Sequence, residues 1–564
     1  MNKRILIVGG VAGGASVAAR VRRLDEHAEI VMFERGPHVS FSNCALPYHL
    51  SGEIETSEKL VLMSPEKFAK QYRIDAQTNT EVIEVHPNQK TIVVKNLLTH
   101  EVKKEKYDFL VLSPGASPIV PKLEGVESDH VFTVRNVVDI EKLNQYLQGE
   151  SIEEVAVIGG GFIGLEVAEN LVYAGKKVTL IEAQDQVMAP FDHDMVQILH
   201  KEVIDHDMTL VLNDGIEAVE SDHIVLQSGK KITAHAVVMA IGVRPEIGLA
   251  KQADLELGAT GGIKVNHNYQ TSNPYIYAVG DAIEVHHKIT GQKTRLPLAG
   301  PAQRQARAAA GHMYGIPHQH TGVIGSSAIK VFDLHAATTG INERLAKATG
   351  FDYDFVYVIP TDMVGIMPES NPLHFKLIFE VPTGRILGAQ AIGKGNVDKR
   401  IDVIATMIMM NGTLEDLKEL ELCYSPVFGT AKDVVNFAAL VGLNVLNNVV
   451  KQVKVTEVRK LVETDAFIID ARESNEFKRA HLRNAINIPL SQFRQRLDEI
   501  PKDQPVYIHC RSAQRSYNMV VALQHLGYDQ VYNISGSFLG ISLYEYFNDC
   551  SQGREPIVTA YNFK

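Results

Sequence analysis

The sequence predicts an α/β protein of several domains: two nucleotide-binding units built on parallel sheets, an α+β domain, and a further α/β domain at the C-terminus. Three observations carry that prediction. A glycine-rich turn joins an apolar strand to an alanine-rich helix in "RILIVGGVAGGASVAARVRR". The same unit recurs as "EVAVIGGGFIGLEVAENLVYAGKKVTLIEA". Past residue 452 a strand–loop–helix pattern restarts around "PVYIHCRSAQRSYNMVVALQHLGY". At 564 residues the chain is too long for one core, and about 150 residues per domain gives three or four.

In the first unit Gly9, Gly10, Gly13 and Gly14 let the backbone approach a pyrophosphate at the helix N-terminus, where N–H groups and the dipole favour anions. Val11 stands where the second glycine of G-x-G-x-x-G belongs. The next strand, "EIVMFER", ends in Glu34, placed to accept from a ribose diol, with Arg35 beside it. The second unit has the full spacing in Gly159, Gly161 and Gly164, and its second strand ends in Glu182. An acid there, with no arginine nearby, suits a free 2′-hydroxyl and repels a 2′-phosphate, so NADH is expected over NADPH. Two dinucleotide sites in one chain imply electron transfer between two dinucleotides.

"NPYIYAVGDAIEV" supplies a third element, and it resembles the second FAD motif of the two-dinucleotide-binding flavoproteins. "YDFLVLSPGASP" and "AVVMAIGVRPE" look like that superfamily's return strands. The resemblance implies FAD held by Gly9, Gly10, Ala12, Gly13, Gly14, Glu34, Arg35, Ser113, Pro114, Gly115, Gly280, Asp281 and Ala299. NADH would be held by Gly159, Gly161, Gly164 and Glu182. The FAD domain is then split into 1–115 and 250–320, with the NAD domain, 116–249, inserted between. On the helix of the second unit, Glu166 either approaches the nicotinamide or is an ordinary solvated acid.

The chain has four cysteines, Cys44, Cys423, Cys510 and Cys550, with no C-x-x-C spacing. That excludes a disulfide scaffold and a zinc site and fits a reducing compartment; no metal is expected. A free cysteine alone reads as a core residue, but Cys44 follows the first nucleotide unit in "SFSNCALPYHL". The stretch 1–445 resembles the pyridine nucleotide-disulfide oxidoreductases, in their single-cysteine branch. Relatives with a C-x4-C pair carry a second cysteine where this chain has His49. Cys44 must then cycle through a sulfenic acid, a mixed disulfide or a persulfide. Peroxidase and oxidase relatives carry a histidine where this chain has Ala12. "SFSNCALPY" resembles the signature of coenzyme A disulfide reductases, which implies coenzyme A contacts from Arg23, Ser40 and Asn43. "DKRIDV" and "CYSPVFGTAKDVVN" resemble that family's dimerisation domain, expected over 321–445, with Tyr424 catalytic across a homodimer. Cys44 is expected to open a helix whose dipole lowers the thiol pKa. Where the family has Tyr-Tyr-Pro, this chain has Ile366 and Met367, neither a hydrogen-bond donor.

After a linker at 446–452, residues 453–564 resemble a rhodanese domain, through Asp470, Arg472, Glu476 and Phe477 and the loop from Cys510 to Arg515. Such a loop, one residue shorter than its phosphatase counterpart, fits sulfur, and its amides and Arg515 stabilise a thiolate or persulfide. Cys423 and Cys550 read as structural. A net charge of −11 speaks against nucleic acid. No apolar run reaches the length of a membrane helix, and the first residues run directly into "RILIV". The expectation is a cytoplasmic homodimeric flavoenzyme. It would use NADH to reduce coenzyme A persulfide, polysulfide or disulfide at Cys44, while Cys510 handles sulfane sulfur and coenzyme A is free or retained. The alternatives are an NADH oxidase or peroxidase cycling a sulfenic acid, and a thiol- or sulfur-sensing carrier without turnover.

Overall fold

The computed structural model describes residues 2–563 and divides into two compact units. One runs to Asp185 and includes Val211–Val323; the other comprises Gln186–Leu210 and the chain from Ile324 onward.

The first unit contains two parallel sheets. Strand Arg4–Val8 lies at the centre of one, in the order Ile276–Ala278, Phe109–Leu112, Arg4–Val8, Glu29–Phe33, Asp75–Gln77. A central parallel strand is covered on both faces, which is why the run from Ile5 to Val8 is continuously apolar. Leu6 and Val8 enter one core cluster, and Ile5 and Ile7 enter the other. Helix Ala12–Leu24 buries Val17, Ala18 and Val21 and packs on helix Ala299–Met313. In the second sheet Lys177–Ile181, Glu154–Ile158, Ala236–Met239 and Val131–Phe132 are neighbours in that order.

The second unit holds an antiparallel sheet in the order Ser327–Val331, Leu334–Gly340, Ile386–Gly393, His374–Glu380, Tyr353–Val358. It also holds a parallel sheet in the order Gln452–Val453, Val531–Ile534, Val506–His509, Phe467–Asp470, Ala485–Asn487. Helix His193–Asp205, although it follows the second nucleotide unit in sequence, packs here against helix Ser537–Gln552. His193 meets Tyr544 edge-on, and the rings of His200 and Phe547 lie 4.7 Å apart. The helix is anchored by charge at its start. Lys376, fully buried, donates to both oxygens of Asp194 at 2.8 Å and to Glu343 at 2.5 Å, and lies 3.2 Å from Asp192.

Candidate active site

Helices Ala12–Leu24 and Phe162–Tyr173 both begin without a side-chain cap, whereas Pro65–Tyr72 and Val137–Leu147 are capped by Ser64 and Asn136. An uncapped first turn presents its N–H groups and the positive end of the dipole outward. Behind each such turn stands an acid held in the same way. Glu34 accepts from the amides of Gly10 and Gly36 at 2.9 Å. Glu182 accepts from Gly160 at 2.7 Å and Gln184 at 2.9 Å. Both oxygens of each acid keep a lone pair for a diol.

The three glycines of the second turn divide by cause. A Cβ on Gly159 would come within 2.4 Å of the Ala240 carbonyl, and one on Gly164 within 1.8 Å of the Gly159 carbonyl. Packing of the chain on itself requires both. A Cβ on Gly161 would meet nothing within 4 Å beyond its chain neighbours, so packing does not require a glycine there. Beside the first turn lies a cavity of about 430 Å³, lined by Gly9, Val11, Glu34, Arg35, Asn43, Ser113, Pro114, Gly115 and Arg135. Gly10, Ala12, Gly13, Gly14, Gly280, Asp281 and Ala299 lie outside that lining. Gly13 packs on Ser113, Gly280 is bound through its amide to Gln305 at 2.8 Å, and Ala299 opens its helix. Burial pushes the Asp281 carboxyl up, and Arg135 opposes the shift.

Cys44 does not open an α-helix. It sits in a one-turn 3₁₀ segment, Asn43–Ala45, followed by another, Pro47–His49. The first α-helical bond from Asn43 would need an N–H on residue 47, and proline has none; Leu46 closes the turn on Asn43 instead. The expected lowering of the thiol pKa fails with the helix. Cys44 reaches solvent on one side, yet burial on the other, then Glu166 and Asp281, push its thiol up. Glu166 is itself pushed up to about 7 by burial and by Glu169, and Tyr48 to about 12 by burial and by Glu166. His49 is occupied, by the Ile54 carbonyl at 2.8 Å and by Asn144 at 3.3 Å. Of the three residues expected at coenzyme A, Asn43 donates to the Arg135 carbonyl at 3.3 Å. Ser40 adopts φ +49° between the Gly10 and Leu62 backbones, and Arg23 lies exposed over the Tyr72 ring.

In the second unit Cys510, 1% exposed, ends strand Val506–His509 and starts the loop into helix Gln514–His525, which Ala513 enters at φ +71°. Its amide donates to Ser537 Oγ at 3.1 Å, and the Ser516 hydroxyl lies 3.6 Å from its sulfur. Arg515 forks onto Glu476 at 2.6 and 2.8 Å, which fixes its guanidinium beside the loop. Elsewhere in this unit Tyr424 is 52% and Ile366 86% exposed. Their loops are joined where the Val364 amide reaches the Pro426 carbonyl at 3.3 Å.

Residues 3–306 match the family described as "Pyridine nucleotide-disulphide oxidoreductase". The chain belongs to that family. Residues 326–433 match its dimerisation domain and residues 454–543 a rhodanese-like domain. A coenzyme A disulfide reductase of Staphylococcus epidermidis is 37% identical over 437 residues, 77% of this chain and 98% of that one. The crystal structure of reduced Bacillus anthracis CoADR-RHD is 43% identical with a TM-score of 0.94, covering 97% of this chain and 99% of that one. A NAD-dependent persulfide reductase from A. fulgidus is 33% identical with a TM-score of 0.91, covering 95% and 99%.

This pyridine nucleotide-disulphide oxidoreductase is thus FAD- and NAD(H)-dependent, and its own residues fit both groups: two glycine turns, two uncapped helix ends and two fixed acids. Sequence reasoning missed Arg135, which faces Gly115 and Asp281. A signal for it existed. "RNVVDIEKL" carries Asn-x-x-Asp before an apolar run, and Asn136 does cap the helix there while Asp139 holds the Arg135 amide at 3.1 Å.

Proposed function

We propose that the chain is an NADH-dependent reductase of coenzyme A persulfide, polysulfide or disulfide, acting through Cys44, with Cys510 carrying sulfane sulfur. The observation that carries this is a single thiol in the unit with the two nucleotide sites, with His49 engaged elsewhere and no second cysteine to close an internal disulfide. Bound FAD supplies a two-electron relay between NADH and that thiol. The Cys44 thiolate attacks the coenzyme-A-bound sulfur of the persulfide, forming a Cys44–S–S–CoA disulfide and expelling HS⁻. Two electrons from NADH and one proton then release the coenzyme A thiol and restore the Cys44 thiolate. Net, CoA–S–SH, NADH and H⁺ give CoA–SH, H₂S and NAD⁺. Arg23, Ser40 and Asn43 are the proposed coenzyme A contacts, and the glycines and acids above the FAD and NADH contacts.

Domain bounds of 1–115 with 250–320, 116–249, 321–445 and 453–564 serve this reading, except that Gln186–Leu210 belongs to the same compact unit as the chain from Ile324 onward. A cytoplasmic homodimer completes it, supported by the exposed apolar group Ile366, Tyr424, Val427 and Phe428, from which Tyr424 would act on the partner subunit. Against an oxidase or peroxidase stands Ala12, which offers no base.

Two measurements test the reading. Glu182 presents a carboxylate where a 2′-phosphate would lie, so kcat/KM for NADH should exceed that for NADPH by at least about tenfold, roughly 1.4 kcal/mol; equal values would remove Glu182 from the site. Ile366 and Met367 cannot donate to a departing thiolate. Coenzyme A disulfide should therefore turn over more slowly than the persulfide, whose leaving group HS⁻ needs less help. Met367→Tyr should raise disulfide turnover more than persulfide turnover, and no change would place this loop away from the leaving group.

A further inference from the structure

The loop that carries Cys510 is backed by a wall from outside its own domain. Tyr357 lies on strand Tyr353–Val358, the edge strand of the antiparallel sheet. Its side chain is buried, and its hydroxyl meets His374 Nδ1 at 2.6 Å. The ring packs against Gly536 and Gly540. A Cβ on Gly536 would come within 2.8 Å of it, and one on Gly540 within 3.1 Å. The Ser535 hydroxyl donates to the Tyr357 carbonyl at 3.3 Å, and Gln452 donates to the Phe355 carbonyl at 2.7 Å. The other side of segment 535–540 holds the thiol loop. Ser537 Oγ accepts from the Cys510 amide, and the amides of Phe538 and Leu539 donate to the carbonyls of Cys510 and Arg511 at 3.0 and 3.1 Å. Burial and then Arg511 push His374 down to about 3, so the loop and the Tyr357–His374 pair share one neighbourhood.

We propose that Tyr357 is a positioning residue for the rhodanese thiol, fixing the Cys510 loop through Gly536, Ser537 and Gly540, so that sulfur transfer at Cys510 requires the dimerisation domain. A side chain at either glycine would press on the ring, and Gly536 in addition takes a left-handed φ of +72°. Without the ring the first turn of helix Ser537–Gln552 loses the surface behind Gly536 and Gly540, and Ser537 is held less tightly under the Cys510 amide. Small displacements of a reacting group cost large factors in rate. The inference rests on Cys510 being the sulfane-sulfur acceptor, by the step in which its thiolate and thiosulfate give the Cys510 persulfide and sulfite.

The test uses the full FAD-loaded chain. Gly540→Ala, which pushes a methyl against the ring, and Tyr357→Leu, which removes the ring, should each lower thiosulfate:cyanide sulfurtransferase kcat by at least about tenfold. NADH-driven turnover at Cys44 and FAD content should stay at wild-type levels. The double variant, where the methyl occupies space the ring vacated, should exceed either single variant. In a Cys44→Ser background, the pH midpoint for alkylation of Cys510 by iodoacetamide should rise in both single variants and return in the double. Wild-type activity and an unmoved midpoint in Gly540→Ala and Tyr357→Leu would overturn the proposal. So would a double variant no better than the worse single one, because the effect would then be general loosening. If Cys510→Ser keeps the sulfurtransferase activity, the reading of Cys510 falls, and the alkylation profile alone decides the positioning role.

Discussion

Replacing Cys44 with serine is expected to leave FAD bound and reducible by NADH while lowering persulfide and disulfide turnover by at least about a thousandfold. Serine differs from cysteine by one atom and is expected to keep the 3₁₀ turn Asn43–Ala45, but it cannot form the mixed disulfide. Rapid mixing separates the two halves of the claim: the flavin absorbance should bleach with NADH at the wild-type rate, while steady NADH consumption with coenzyme A persulfide stops. Turnover within tenfold of wild type would move the chemistry to another group. The thiol needs help it does not receive from nearby charges of the chain, since Glu166 and Asp281 both oppose the thiolate.

The second large effect concerns stability. Lys376→Met keeps the volume but leaves Asp192, Asp194 and Glu343 facing one another without their cation. Breaking a buried ion cluster by removing one partner costs about 3–5 kcal/mol, so calorimetry should show a midpoint lower by roughly 10 °C. The sign of its pH dependence follows from the acids. Burial already pushes Asp192 up against the opposing charge of Lys376, and without Lys376 that carboxyl rises further above its unfolded value. Groups shifted in that direction destabilise the fold as pH climbs through the ordinary carboxylate range, so the deficit should be smaller at pH 5 than at pH 8. A deficit independent of pH and below about 1 kcal/mol would mean that the acids are satisfied by other partners.

What could be read in advance was local. The two nucleotide turns were legible because strand, glycine spacing, helix and acid follow one another within about thirty residues, and the structure repeats the pattern down to the amides held by Glu34 and Glu182. Cys44 was legible as a lone thiol, but the 3₁₀ turn that replaces the expected helix was not, because one proline three residues later decides the local hydrogen bonding. Lys376 was invisible for a different reason: its partner Asp194 lies 182 residues away in sequence. Cys423 and Cys550, expected as structural, are exposed; with no periodic pattern around a single cysteine, its burial is fixed only by tertiary packing.

The packing of helix His193–Asp205 bears on how such a chain is inherited. Its outer side is fitted to Tyr544 and Phe547, while Lys201 lies over the rings of Tyr546 and Phe563. A stop codon before the last domain would therefore not yield a plain reductase. It would uncover this helix and the ring of Tyr357 together, two places some 150 residues apart in the gene. Losing or gaining the terminal domain requires coordinated change at both. Reductases that end before it should carry water-compatible side chains where this chain has His193, His200 and Tyr357, so those three codons should tell in an unassembled gene fragment which kind of chain it came from.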